Sequence, residues 1–555
     1  MGARALIIGL DGAEWSVIRR LQSEGLLPNL TRLIDTGASG PLNSTTPPMT
    51  LPSWSSMLTG CYPGTHGIFD FVHRDSTDKD WRLEFTNSTH RAVPTIHEWL
   101  SLCGKRVASI AVPTTWPPSS VNGVMVSGFD SPVSTGIDGS FCHPPELYAE
   151  LQSRFGGLNF ADFQETSIDD EWLHDARQLL LKEVERKEAI GQWLLESDDW
   201  DCFMLLFGES DTASHHFWRF FDSSSPRYDD AVDADIRNTI RDVYERLDEA
   251  VGTLIESAAA DVVCICSDHG FGGAGDYALY LNQFLISKGW LTLKEGKDTR
   301  MGKVMDWSRR VGLSQIPSRL QGGLFRALPA GLKSKLETSS RFGTVDFERT
   351  IALSDEMNYA ATIRLNMGNI GVHDLDNTID KLRQDLLSWT VDGHNPVKSV
   401  LYREDVYSGK MVHKSPELVL ELNLRDGCTY TLLPSIRSED SQTWRRFTPE
   451  EYQGGKGLGM NGSHRQFGVV ILSGKGIQTQ RLQADMADIA PTLLYILEEP
   501  IPSYMEGRVL EVLGTPKSQF RVEYSPASPA SMGDRENSTV EHDAIHKRLE
   551  QLGYL

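Results

Sequence analysis

At 555 residues, the chain is too long for one simple core and predicts two to four domains. With 40% hydrophobic and 23% charged residues it is not a disordered chain, and a net charge of −22, from 76 acids against 54 bases, sets its field against nucleic-acid polymers and anionic membranes. The seven cysteines are odd in number and scattered without a Cys-x-x-Cys pair, which excludes a disulfide framework. No signal-peptide pattern or run of ~20 apolar residues occurs, so the expectation is a soluble, cytoplasmic protein.

In chain order, Ala5-Leu6-Ile7-Ile8-Gly9-Leu10 reads as a buried strand ended by Asp11-Gly12. Helical spacing follows through Val17, Ile18 and Leu21, and again from Pro28 through Leu30, Leu33 and Ile34. Residues 41–50 form a Thr/Pro-rich loop before a helix-like stretch from Ser53 to Leu58. Buried strands are expected at 106–112, 202–207 and 262–266, with helices over 171–197 and roughly 229–257. Helices alternating with short continuous apolar strands predict an α/β fold, a mainly parallel sheet with helices on both faces. Ligands in such folds bind at the carboxyl ends of the strands. Asp11, Asp211 and Asp268 each fall just after a strand end.

Residues 294–341 break this rhythm, with eleven Lys/Arg against four Asp/Glu and helix-like spacing at Val304, Trp307 and Val311. The segment reads as an inserted helical lid, or as a cap whose basic residues grip an anionic substrate or make peripheral contact with a lipid headgroup. The sheet pattern returns near 417–433 and at Phe467–Ser473, and 525–539 is a Ser/Pro-rich linker.

The chemistry concentrates in a few positions. Asp211 and His215 stand four residues apart, one helical turn, which lets both reach a single cation. Asp268-His269 follows directly on a buried strand, and Gly462-Ser463-His464 precedes another. Each group alone has an ordinary structural reading, as a helix cap, a turn or an exposed pair. Together they offer six ligands, and mixed imidazole and carboxylate donors suit zinc, manganese or iron. Six such ligands suffice for two ions about 3.5–4 Å apart, the spacing that serves in-line phosphoryl displacement.

The runs Leu10-Asp11-Gly12, Thr46-Pro47-Pro48-Met49-Thr50-Leu51-Pro52-Ser53-Trp54, Leu58-Thr59-Gly60 and Pro63-Gly64-Thr65-His66-Gly67-Ile68 resemble the opening of the alkaline phosphatase superfamily. They are most similar to its type I phosphodiesterase/nucleotide pyrophosphatase branch, and there to prokaryotic proteins described as predicted phosphohydrolases or phosphomutases. Asp488–Leu494, Pro502 and Glu506-Gly507-Arg508 resemble the closing segment. The resemblance implies an alkaline-phosphatase-like core in two parts, 1–275 and 401–515, an insert or cap at 276–400, and a flexible tail at 516–555. It implies one divalent ion on Asp211, His215 and His464, and a second on Asp11, Asp268 and His269 with Thr50 oxygen. Zinc is the expected metal and manganese the alternative. Thr50, which begins the family's Thr-x-Pro segment, is implied as the nucleophile. Thr45, Thr46, Ser53 and Ser55 are its neighbouring rivals.

The implied function is hydrolysis of a small anionic phosphoester, diester or monoester, through a phospho-threonine intermediate. A phosphomutase and a non-catalytic binding protein on the same fold are the alternatives. The chain lacks the Cys-x-Pro-x-Arg segment of a sulfatase. One departure concerns the Asn that pyrophosphatases carry after His-Gly-Ile, because this chain has Phe69-Asp70-Phe71. Arg74, His216 and Arg219 are candidates to contact the phosphoryl group in its place, and His66 reads as structural.

Overall fold

The computed structural model describes residues 2–73, 84–128, 139–157, 168–294, 344–356, 361–371, 374–435, 441–453, 460–514 and 521–522. The basic segment at 295–341 and the Ser/Pro-rich 525–539 lie outside the described residues, as does Arg74.

The centre is a ten-stranded sheet. Its order runs Gln480–Arg481, Ala38–Asn43, Phe467–Gly474, Val262–Cys266, Gly2–Leu10, Asp199–Phe207, Val107–Val112, Gly123–Ser127 and Cys142–His143, with Ala484–Asp485 also beside Ala38–Asn43. The inner five strands are parallel, and Phe467–Gly474 runs antiparallel between Val262–Cys266 and Ala38–Asn43.

Continuous apolar runs form these strands because both faces are covered. Leu6, Ile8 and Leu10 enter one apolar cluster with Phe203, Leu205, Phe207, Val263 and Ile265. Ala5 and Ile7 enter the opposite cluster with Met204, Leu206, Cys264 and Cys266. Helices Trp15–Ser23, Pro28–Thr36, Asp170–Ser197 and Thr239–Ala258 cover the first face, while Thr50–Thr59, Ile96–Leu102 and Ile489–Ile496 cover the second. The fold is the mainly parallel α/β class that the sequence predicts.

Three differences are instructive. The helix expected from about residue 229 begins at Thr239, after a single turn at Ala234–Arg237. Asp222 and Asp229 accept backbone N–H groups two residues ahead, from Ser224 and Ala231, and so favour turns over helix. The apolar run at 417–433 forms strands Leu418–Leu422 and Thr429–Leu432, which belong to two smaller sheets rather than the central one. A strand at Gly270–Leu279 has no apolar signature, since it holds Gly270, Gly272, Gly273 and Gly275. Its glycines permit close approach: a Cβ at Gly270 would lie 2.1 Å from the carbonyl oxygen of Phe467. The first half of this strand pairs with Gly462–Arg465, and the second with Thr429–Leu432 and Trp444–Arg446.

Candidate metal centre

Strand register brings the acids together. Strands Gly2–Leu10 and Val262–Cys266 pair in parallel with Gly9 opposite Cys266, so Asp11 and Asp268 leave the sheet side by side. Gly12 turns with φ of 65°, and its N–H donates to Oδ1 of Asp268 at 3.1 Å. A Cβ at Gly12 would stand 3.0 Å from Cα of Asp211, which is why only glycine fits here. Trp54 donates Nε1–H to Oδ2 of Asp11 at 3.0 Å.

Helix Glu209–Phe221 carries Asp211 and His215 on one side, with Oδ1 of Asp211 3.2 Å from Nε2 of His215. His464, from strand Gly462–Arg465, places Nε2 3.1 Å from Nε2 of His215 and 3.5 Å from Oδ1 of Asp211. His269 stacks on His464 with ring centroids 3.6 Å apart, and its Nε2 lies 3.2 Å from Oδ2 of Asp268, 3.7 Å from Oδ1 of Asp11 and 4.0 Å from Oδ1 of Asp211. All six side chains are buried. Two sets have donor atoms close enough for one cation, namely Asp211, His215 and His464, and Asp11, Asp211 and His269. Asp211 thus faces both sets, and Asp268 closes on the second through His269.

The imidazoles are oriented for coordination. Nδ1 of His215 lies 3.0 Å from the carbonyl of Gly462, that of His464 3.0 Å from the carbonyl of Pro48, and that of His269 3.1 Å from the carbonyl of Gly270. A carbonyl only accepts, so each Nδ1 carries the hydrogen and each Nε2 turns a lone pair inward. The Nε2 atoms of His215 and His464 therefore face each other at 3.1 Å as two acceptors, which repel unless a cation, or a proton in its place, sits between them. Oδ2 of Asp268 is buried and accepts no hydrogen bond. These donors fit divalent ions of the zinc type.

The electrostatics agree. Burial, then the negative charge of Asp11, pushes the carboxyl of Asp268 well above the usual carboxylate range. Burial, then His464, holds His269 well below the usual imidazole range, so its ring is neutral and free to ligate.

Thr50 is the first residue of helix Thr50–Thr59, and its Oγ1 lies 3.4 Å from Nε2 of His269. Three of the four rival hydroxyls, those of Thr45, Ser53 and Ser55, are engaged elsewhere. Ser53 Oγ lies 2.7 Å from Ser44 Oγ and 3.0 Å from Thr45 Oγ1, and Ser55 Oγ lies 3.1 Å from Thr114 Oγ1. Among the described hydroxyls of residues 44–56, Thr50 alone contacts the ligand cluster.

His66 stands apart, with Nε2 3.0 Å from Ser56 Oγ and Nδ1 accepting the N–H of Ile68; burial pushes it down to about 3. His216 packs its ring edge-on to Trp172, and Arg219 pairs with Asp229 at 2.5 Å. Sequence reasoning did not single out the residues that orient the ligands: Trp54, and the carbonyls of Gly462, Pro48 and Gly270. Only Trp54 had a signal, inside the Thr-x-Pro-x-Trp run.

A strand-end cluster of carboxylates and inward-facing imidazoles beside a helix-starting threonine is the donor set of a divalent-metal site. A family model of type I phosphodiesterase / nucleotide pyrophosphatase matches residues 5–321, more than half of the chain, and the protein belongs to that family. No curated protein sequence matches it. Among solved structures the chain is similar to phosphonoacetate hydrolase from Sinorhizobium meliloti in complex with phosphonoformate, with a TM-score of 0.50 and 15% identity over 89% of this chain and 95% of that one. It is also similar to human ectonucleotide pyrophosphatase / phosphodiesterase 5, with a TM-score of 0.49 and 12% identity over 92% of this chain and 100% of that one. A mutant of alkaline phosphatase PafA gives a TM-score of 0.48 and 14% identity over 92% of this chain and 99% of that one. No helix among the described residues is long and apolar enough to cross a membrane.

Proposed function

We propose that the protein hydrolyses a small anionic phosphoester through a covalent phospho-threonine at Thr50, with two divalent ions as cofactors. Zinc is the resident metal in this reading and manganese its alternative. The observation that carries it is the pair of inward Nε2 lone pairs on His215 and His464, 3.1 Å apart and flanked by Asp211, next to the Thr50 hydroxyl. One ion is assigned to Asp211, His215 and His464, and the other to Asp11, Asp268, His269 and the Thr50 oxygen. When bound, such ions supply Lewis acidity and lower the pKa of a coordinated hydroxyl.

Thr50 contributes the oxygen that bonds to phosphorus as the ester oxygen departs with its alcohol. Water then takes the phosphoryl group from Thr50 and restores the hydroxyl. Its place at the first turn of a ten-residue helix favours the negative charge that develops there. Trp54 and the N–H of Gly12 hold Asp11 and Asp268 in position throughout. The seven cysteines are all free thiols, which supports a cytoplasmic site of action.

The test is turnover of bis-p-nitrophenyl phosphate and p-nitrophenyl phosphate by purified protein, with zinc or manganese and with chelator. Metal-dependent hydrolysis is expected, and Thr50→Ala should lower kcat by at least about 10³-fold while retaining its metal. Turnover that survives Thr50→Ala would refute the covalent route. Phosphoryl transfer between positions of one substrate, without release of phosphate, would instead identify a mutase.

A further inference from the structure

The loop that delivers Thr50 is held by its carbonyl groups. The N–H of Ser44 donates to the carbonyl of Gln466 at 2.9 Å, but Pro47 and Pro48 have no N–H to donate, so the approach to Thr50 is anchored mainly through acceptors. The carbonyls of Ser44 and Thr45 accept from Nε2 of Gln466 at 2.9 and 3.1 Å, and that of Pro47 accepts from Thr45 Oγ1 at 2.9 Å. Pro48 accepts from Nδ1 of His464 at 3.0 Å. The remaining carbonyl, Thr46, accepts from the phenol of Tyr407 at 2.7 Å.

Tyr407 comes from a different part of the molecule. It follows the turn Arg403–Val406, between strands Val397–Tyr402 and Leu418–Leu422 of a small antiparallel sheet. It is buried, meets Phe69 edge to face at 5.0 Å, and shares an apolar cluster with Phe69 and Val419. The same junction is closed by the N–H of Met411 donating to the carbonyl of Gly64 at 2.8 Å. Its fit leaves no slack, since a Cβ on Gly64 would lie 2.2 Å from the carbonyl oxygen of Ser408. Burial, then Asp70, keeps the phenol above its usual range, so it stays protonated and donates.

We propose that Tyr407 is a positioning residue for Thr50: its hydrogen bond to Thr46 fixes the nucleophile loop against the small sheet, two residues before the carbonyl that His464 grips. This rests on the reading of Thr50 as nucleophile. The loop is held between a ligand imidazole and the phenol, so releasing the phenol lets the hydroxyl drift from its reactive position, where small displacements are costly.

The test is Tyr407→Phe in the full-length, zinc-loaded protein, which keeps the ring and its packing. With bis-p-nitrophenyl phosphate, kcat should fall by about tenfold with KM within about twofold, the effect of one lost hydrogen bond at a position that matters to the transition state. Amide exchange of a peptide spanning residues 42–51 should rise by about the same factor, while the peptide covering Gly2–Leu10 and the bound-zinc count stay at wild-type values. Loop exchange at the wild-type rate overturns the proposal, and so does raised exchange with unchanged kcat. A wild-type protein that turns over no phosphoester would sink the hydrolase reading instead, and the exchange ratio would then decide alone whether the phenol holds the loop.

Discussion

The two candidate metal clusters meet at Asp211 but are assembled by different means. The first relies on orientation. It has one carboxylate and two imidazoles, drawn from helix Glu209–Phe221 and strand Gly462–Arg465, and each ring is aimed by a backbone carbonyl. The second relies on register and charge. Asp11 and Asp268 arrive at the ends of adjacent parallel strands, both buried, and are steadied by Trp54 and the N–H of Gly12. In the first cluster the lone pairs are already turned inward, whereas in the second a carboxyl is pushed up by burial beside another acid. Cation binding at the second cluster is therefore expected to compete with a proton on Asp268, and its affinity should fall more steeply at acid pH.

The largest effects should come from removing one imidazole per cluster. His215→Ala and His269→Ala should each lower turnover by at least about 10³-fold, yet each should retain one ion per chain by elemental analysis. If either variant binds no metal, the clusters are one unit joined through Asp211, and the comparison breaks. A smaller, more selective effect is expected from Trp54→Phe. It removes the indole N–H from Asp11 and should weaken only the second ion, by roughly 10–100-fold in a chelator competition. An equal loss at both ions would show that Trp54 acts through the packing of helix Thr50–Thr59.

The contrast also marks what could be read from the chain. The second cluster was legible because its acids end continuous apolar strands, and a buried parallel strand writes its own boundary in residues such as Leu10-Asp11 and Cys266-Ser267-Asp268. Asp211 and His215 were legible through one-turn spacing. His464 was legible as a candidate before a strand, but its grouping with Asp211 and His215 came only through the family resemblance, because its partner strand Gly270–Leu279 is glycine-rich and carries no hydrophobic period. The grip of Tyr407 on Thr46 joins residues 361 apart through a phenol and a carbonyl, and no local pattern encodes such a pair. The late apolar run at 417–433 announced strands but not their sheet, since periodicity reports a buried face and not its partner.

A buried acid outside both clusters sharpens the comparison most finely. Asp70 stands in the Phe69-Asp70-Phe71 stretch, only 4% exposed, with Oδ1 accepting the N–H of Phe71 at 2.6 Å. Burial, then Asp355, pushes its carboxyl from 3.8 up to about 7, against the opposing pull of the Phe71 N–H and Arg364. The folded chain thus holds this proton more tightly than the unfolded chain. The stabilisation is complete below about pH 4 and is lost as pH rises through 7, where a buried carboxylate remains. Asp70→Asn keeps the acceptor oxygen and removes the charge. The variant should match wild type near pH 4 and exceed it by roughly 1–3 kcal/mol at pH 8 in denaturant melts. Asp268 is pushed in the same direction, but there bound cations would offset the charge. Adding zinc should therefore flatten the pH dependence that arises in the second cluster and leave the Asp70 contribution intact. A variant no more stable than wild type at pH 8 would mean that Arg364 already neutralises Asp70.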